Sequence, residues 1–340
     1  MPSRIELLAV GMAVAAVSLA GIASTQQALA QTPPIVVKLG TATLNDAQHE
    51  YLKRYAAVIE KNSGGRLKPE IYPASQLGPI PRQIEAMQLG AIQMFVCPSE
   101  FLDGVDSRFA VVAAAGLFKD MANAAKVLKD EEFRKAFWQL GANRGVRVSA
   151  MFMSGPTALN TRKPINKIED VKGLKLRVSA SPLQTRPIAH LGATAVPMAL
   201  GDVLPALQQG TIDGVMSVLP VLSALRYYDA AKYITETNLS FTISQASISK
   251  VWFDKLPPDL QKIVADAALK LGDEMQPFVD EFYQQQRKVW VEKGGTLIEL
   301  PEADRTKTIT ALTAVSEDVV KEKAEMKAIW DVALAAAKRN

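Results

Sequence analysis

The fold is decided by residues 173–214, which read GLKLRVSASPLQTRPIAHLGATAVPMALGDVLPALQQGTIDG. Polarity alternates along residues 174–178, so the leucine and valine side chains face one side while Lys175 and Arg177 face the other. This alternation predicts a strand with one buried face. Arg177 is a candidate for carboxylate recognition, because a planar guanidinium can hold both oxygens at once. Periodicity alone leaves a solvated strand face as the alternative.

Strand and helix patterns alternate on both sides of this stretch. Apolar runs predict strands at residues 35–39, 67–72, 91–96 and 146–151. A period of 3.6 residues predicts helices at 52–62 and 83–89, and longer helices at 123–140, from 258 to about 293 and from about 303 to 339. Pro277 should bend the second of these long helices. The order predicts an α/β fold with a mostly parallel sheet covered by helices.

Composition excludes several classes of protein. The 340 residues are 48% hydrophobic and 22% charged, as in ordinary globular proteins, and the net charge of +4 carries no run of five like charges. We therefore expect no nucleic-acid partner. Two histidines and the single cysteine, Cys97, do not have the spacing of a metal site, and phosphate-binding and dinucleotide-binding motifs are absent. We expect no metal and no cofactor.

The N-terminus has the anatomy of a secretory signal. Arg4 precedes an uncharged stretch, residues 7–23, and the small-residue pattern Ala28-Leu29-Ala30 follows. Cleavage after Ala30 is expected, with a retained membrane anchor as the alternative. The exported chain could form no internal disulfide with Cys97 alone.

One catalytic pattern is present. Ser247-Ile248-Ser249-Lys250 matches S-x-x-K, the acyl-enzyme motif of penicillin-recognising proteins. The companion motifs are missing, because no Ser-Asp-Asn follows and Lys307-Thr308 is followed by Ile309 instead of glycine. The alternative is a strand that leads into the turn at Pro257.

The stretch 173–214 resembles the signature region of the solute-binding proteins of tripartite ATP-independent periplasmic (TRAP) transporters. The matching elements are Gly173–Val178, Leu191-Gly192-Ala193, Pro197-Met198, Ala206-Leu207-Gln208 and Asp213-Gly214. Two further motifs of that family match at Tyr72–Gly78 with Gln88-Leu89-Gly90, and at Lys255–Gln261. The resemblance therefore covers most of the mature chain in order, and it agrees with the export signal.

The resemblance implies a two-lobed clamshell with discontinuous lobes and a long helix that spans both. By position, residues 1–30 are the signal peptide, residues 31–154 with 243–282 form lobe I, and residues 155–242 with 283–340 form lobe II. The protein would be a monomeric, non-catalytic periplasmic receptor that closes on an organic acid. It would deliver this ligand to TRAP membrane subunits for uptake driven by an ion gradient. The alternatives are the exported acyl-enzyme and the receptor of an ATP-driven importer.

In the family, the arginine that aligns with Arg177 holds the ligand carboxylate. This chain departs from the family at three other pocket positions: Thr157 replaces a second arginine, Ser217 an asparagine and Leu200 an aromatic residue. An unpaired buried arginine would be costly, so these departures predict a less polar monocarboxylate as ligand.

Further ligand contacts are expected from Ser154 and Asn238 and from the end of the strand before residue 100, namely Cys97 and Ser99. Packing is the alternative for Cys97. For Glu100 we expect a helix cap in preference to a hydrogen bond with a ligand hydroxyl.

Overall fold

The computed structural model describes residues 33–340, so the predicted signal peptide lies outside the described residues. Residues 36–340 form one compact unit. Its strands are β1 (Ile35–Thr41), β2 (Leu67–Tyr72), β3 (Met94–Pro98), β4 (Val146–Thr161), β5 (Lys175–Val178), β6 (Thr194–Pro197), β7 (Gly214–Val218), β8 (Tyr233–Glu236), β9 (Phe241–Ser249) and β10 (Thr296–Glu299).

Helices cover these strands, as expected for an α/β fold. They are α1 (Ala47–Asn62), α2 (Ile80–Gln88), α3 (Met121–Val127), α4 (Glu131–Phe137), α5 (Pro182–His190), α6 (Leu200–Gln209), α7 (Leu219–Ala224), α8 (Lys250–Phe253), α9 (Pro258–Asp273), α10 (Gln276–Glu292), α11 (Glu302–Lys321) and α12 (Ala324–Arg339). No helix within residues 33–340 is long and apolar enough to cross a membrane.

The strands run in the order β2-β1-β3-β9-β4-β7-β5-β6, with β8 beside β4 and β10 beside β8. The 16-residue strand β4 joins two groups of strands. Its residues 146–156 pair with β9, which also pairs with β3, whereas residues 157–161 pair with β7 and β8. These are the two lobes of the predicted clamshell fold.

The prediction of a mostly parallel sheet is wrong at its centre. The pairs β1–β3, β5–β6, β5–β7 and β8–β10 are parallel. The pairings of β4 with β7, β8 and β9 are antiparallel, as is the pairing of β9 with β3. The reason is that β4 and β9 pass between the strand groups in opposite directions. A register shift in β4 lies between Met153 and Gly155, where the backbone of Gly155 has a φ of 143° that L side chains rarely adopt.

Each of the three predicted long helices is two helices. The first divides because the Asp130 carboxylate accepts a hydrogen bond from the backbone N–H of Phe133 and starts α4. The second divides at Glu274 and Met275. Pro277 lies in the first turn of α10, where backbone N–H groups have no partner within the helix, so its missing N–H costs no hydrogen bond. Pro277 therefore helps to begin a helix instead of bending one.

The expected lobe-spanning helix is accordingly the pair α9 and α10. Helix α9 packs on α1 and β4, while α10 packs on α7, β4 and β10. The third predicted helix divides at Glu322 and Lys323, between α11 and α12.

Candidate functional site

A cavity lies where the two groups of strands meet, and its volume is about 50 Å³. Its lining includes the carboxyl ends of β3, β5 and β7, as expected for a ligand site in an open α/β sheet. The lining residues are Ala42, Thr43, Gln48, Ile80, Pro98, Glu100 and Phe101 from the first group, Ser154, Thr157 and Thr242 from the crossing strands, and Arg177, Ser179, Gln184, Leu200, Met216, Ser217, Val218 and Val221 from the second.

The Arg177 side chain is only 4% exposed, although the sequence left a solvated strand face open. It lies near the end of β5, between Val196 of β6 and Val215 of β7. The Nε and Nη2 atoms donate to the backbone oxygen of Met198 at 3.0 and 2.8 Å. Nη1 has no hydrogen-bond partner among the described residues, so the edge formed by Nη1 and Nη2 is the one available to a bound carboxylate.

Burial lowers the pKa of Arg177, an effect that the nearby Tyr227 and Glu100 oppose. An arginine starts from a pKa so high that it keeps its charge at neutral pH. The cavity therefore holds one fixed positive charge, and its orientation is set by the Met198 carbonyl.

Glu100 lies across the same cavity, on a short 3₁₀ helix at residues 99–102. The expectation that it caps a helix is wrong, because Pro98 occupies the cap position and no side chain bonds there. Glu100 is 8% exposed, and its Oε2 atom is buried without a hydrogen-bond partner among the described residues. Burial raises the pKa of this carboxyl to about 7, against the opposing effects of its own backbone N–H and of Arg177.

Four other predicted residues line the cavity with Arg177: Ser154, Thr157, Leu200 and Ser217. The Thr157 hydroxyl lies 3.0 Å from the backbone oxygen of Ser240 and 3.1 Å from its hydroxyl. Ser154 and Ser244 have their hydroxyls 2.6 Å apart. The hydroxyls on the crossing strand are thus already bonded within the protein.

Three predicted residues lie outside the cavity lining. Cys97 is buried opposite Gln245 of β9, and burial raises the pKa of its thiol, so it is a packed core residue. The Ser99 hydroxyl lies 2.8 Å from Gln245 Oε1 and 2.9 Å from the Phe109 oxygen, which places it in the core as well. Asn238 lines a different cavity, with residues of α10 and α11.

The geometry does not support the acyl-enzyme alternative. Ser247 is 1% exposed in the middle of β9, and its hydroxyl accepts a hydrogen bond from Gln245 Nε2 at 2.8 Å. Lys250 points to solvent and pairs with Asp254 one helical turn later. Within residues 33–340, no three histidine, cysteine or acidic side chains are grouped so that they could hold a metal ion.

Sequence reasoning did not place Glu100 in the cavity, because it favoured a helix cap over a hydrogen bond with a ligand hydroxyl. The signal that could have found it is its position directly after β3, at the same edge of the sheet as the end of β5.

Known proteins similar to this chain include periplasmic solute-binding proteins. The 2,3-diketo-L-gulonate-binding periplasmic protein YiaO of Escherichia coli is 28% identical over 242 residues, which are 70% of this chain and 73% of that protein. The C4-dicarboxylate-binding periplasmic protein DctP of Rhodobacter capsulatus is 27% identical over 84% of this chain and 86% of its own length.

Solved structures agree on the fold. A TRAP periplasmic solute-binding protein from Desulfovibrio salexigens with bound orotic acid superposes with a TM-score of 0.84 at 23% identity, over 89% of this chain and 99% of that one. The family described as bacterial extracellular solute-binding protein, family 7, matches residues 40–323. With that match covering most of its length, the chain belongs to family 7 of the bacterial extracellular solute-binding proteins, the solute receptors of TRAP transporters.

Proposed function

We propose that this receptor binds an organic acid through a single carboxylate, held by the free edge of Arg177, and closes its lobes on it. The observation that carries the proposal is a buried guanidinium in a cavity between lobes, with one edge fixed by Met198 and the other without a protein partner among the described residues. That geometry matches the two oxygens of one carboxylate.

The charges around the cavity favour a ligand with one carboxylate. Arg177 is the one cation in the lining among the described residues. Lys175 is exposed at the start of β5, and Arg186 is paired with Glu322 at the surface, so neither replaces the missing second arginine. A second carboxylate would be desolvated without a cation to meet it, which costs several kcal/mol.

Similar proteins support the ligand class at a coarser level. Their names and bound molecules include diketogulonate, orotic acid and C4-dicarboxylates, all of which are organic acids. The Rhodobacter protein takes dicarboxylates by its name, so ligands with one or two carboxylates are the comparison that decides specificity here.

The remaining parts of the proposal concern the whole protein. We infer that the signal peptide is removed near Ala30 and that the mature receptor is a periplasmic monomer without enzymatic activity. It would deliver its ligand to TRAP membrane subunits, with lobe I at residues 31–154 and 243–282 and lobe II at residues 155–242 and 283–340. The family match supports this assignment over an ATP-driven importer.

The experiment compares Arg177→Ala with Lys175→Ala, a control on the same strand whose side chain is exposed. Binding of L-gulonate, orotate and succinate is measured by calorimetry and by ligand-induced thermal stabilisation. Arg177→Ala should weaken binding of the best of the three at least about thirtyfold, because removing one partner of a buried charge pair costs about 2–5 kcal/mol. Lys175→Ala should bind within about twofold of wild type.

Two results would contradict the proposal. Retention of binding by Arg177→Ala within about threefold would remove Arg177 as the carboxylate anchor. Succinate as the tightest ligand would show that the cavity accepts a second carboxylate.

A further inference from the structure

The cavity contains a second ionisable group, Glu100. Its role is not explained by the anchoring of a ligand carboxylate on Arg177. Glu100 and Arg177 line it from opposite lobes, and neither is neutralised by a salt bridge among the described residues. We propose that Glu100 engages the ligand as a neutral acid, so that the receptor takes up one proton when it binds a carboxylate. This inference rests on the proposed function.

The hydrogen bonds of Glu100 support a neutral acid. Its Oε2 atom is buried and has no partner among the described residues, so the backbone N–H of Glu100 is the one hydrogen-bond donor that favours its ionised form. An ionised carboxylate can only accept hydrogen bonds, whereas a neutral acid also donates one. Glu100 lines the cavity that would receive the carboxylate, and an O–H donor there is complementary to that ligand.

Among the described residues around Glu100, Arg177 is the one cation that compensates the negative charge of its ionised carboxyl. The 3₁₀ helix at 99–102 packs on α2, β3, β9 and the 3₁₀ helix at 107–113. The titratable side chains on these elements are Arg82 and Glu85, which are exposed on α2, Cys97 on β3, and Arg108, which pairs with Asp106. Strand β9 carries none.

The groups nearest to this pair are neutral. Burial keeps Cys97 a thiol, and burial raises the pKa of Tyr227, which couples to Arg177, to about 12. Neither the thiol nor the phenol therefore adds a charge at neutral pH.

Ligand binding changes this balance. Without ligand, the positive charge of Arg177 lowers the pKa of Glu100. A carboxylate on the free edge of Arg177 neutralises that charge and removes this effect. Two negative charges would then share one positive charge in a buried space, and like charges in one site raise a carboxyl pKa. Glu100 therefore takes a proton from solvent, and its O–H donates to an oxygen of the ligand. A ligand with an oxygen next to its carboxylate, as in 2-oxo and 2-hydroxy acids, suits this arrangement.

The test is calorimetric titration with L-gulonate between pH 6 and pH 9, in phosphate and in Tris, whose ionisation enthalpies differ. Wild type should take up between about 0.5 and 1 proton near pH 8, and the affinity should fall at least about fivefold from pH 6.5 to pH 8.5. Glu100→Gln keeps the shape of the neutral acid, so its affinity should vary by less than about twofold and no proton should be taken up. Glu85→Gln, an exposed control on α2, should behave like wild type.

Two outcomes would overturn the inference. Wild type that binds without proton uptake refutes it, and so does an affinity that rises with pH, since an ionised Glu100 would then accept from a ligand hydroxyl. Loss of binding in Arg177→Ala together with equal pH profiles of wild type and Glu100→Gln would leave the proposed function standing while refuting this inference.

A measurement without ligand keeps the inference testable if L-gulonate does not bind. Carbon-13 labelling of the glutamate carboxyls gives a signal for Glu100, identified by its absence in Glu100→Gln. The signal should titrate near pH 7, and titration near pH 4 would overturn the inference.

Discussion

Replacing Glu100 with glutamine should stabilise the ligand-free protein, and the gain should depend on pH. The carboxyl has an ordinary pKa of 4.5 in the unfolded chain, whereas burial raises it to about 7 in the fold. The folded state therefore holds more protons than the unfolded state between these two pH values. Its free energy of unfolding falls as pH rises through this window, because ionised Glu100 is disfavoured in the folded cavity.

The magnitude follows from the two pKa values. Their difference of about 2.5 corresponds to about 3 kcal/mol of stability, present below pH 4.5 and lost by the time the pH has passed 7. Glutamine has nearly the same shape and never ionises. Glu100→Gln should thus match wild type near pH 4 and exceed it by about 3 kcal/mol near pH 8.5.

Urea unfolding followed by circular dichroism at several pH values measures this difference. Other titrating groups cancel in the comparison of the two proteins, and Glu85→Gln reports the effect of losing an exposed carboxylate. A difference between wild type and Glu100→Gln that stays constant within about 0.5 kcal/mol from pH 5 to pH 8.5 would refute the reasoning, because it would show that Glu100 titrates alike in both states.

Three other predictions concern lobe closure, the fold and the acyl-enzyme alternative. Saturating ligand should reduce the radius of gyration in solution scattering, and an unchanged value would argue against lobe closure. Gly145→Ala should destabilise the protein by about 2 kcal/mol in urea unfolding, since its φ is 77° and an added Cβ would lie 2.9 Å from the backbone oxygen of Gln88. Gly104→Ala, where nothing lies within 4 Å, is the control, and equal stability of the two would count against this account. Ser247→Ala with Lys250→Met should bind ligand like wild type, whereas a covalent adduct of wild type with a β-lactam, seen by mass spectrometry, would revive the acyl-enzyme hypothesis.

Five of the ten strands, β1 to β5, are predicted from the sequence, because their signal is local. Alternation along residues 174–178 is enough to place a strand, and Leu176 and Val178 are buried as the pattern predicts. The same pattern could not show that Arg177 is buried while Lys175, on the same face, is exposed. Burial of Arg177 depends on the neighbouring strands and on the Met198 carbonyl, which are contacts between distant residues.

The helix boundaries show a different limit. Apolar periodicity continues through Asp130 and through Glu274, so it predicts continuous helices there. The breaks come from a capping hydrogen bond at Asp130 and from the position of Pro277 in the first turn of α10. Each of these effects involves only two or three residues, yet it outweighs the apolar periodicity there. Boundaries of this kind are decided by small free energies, whereas the existence of a strand or helix is decided by many residues together.

The two ionisable side chains of the cavity link the proposed recognition of the ligand to the proposed closure of the lobes. Arg177 is carried by one lobe and Glu100 by the other, while the hydroxyls of Thr157 and Ser154 on the crossing strand are already bonded to Ser240 and Ser244. A ligand that bound Arg177 alone would leave the buried Oε2 of Glu100 without a partner. Under the proposed function, a ligand that reaches both groups would satisfy them, and it would do so best when the lobes are close. Under the proposed function, a ligand with one carboxylate and an adjacent oxygen would therefore also favour the closed receptor.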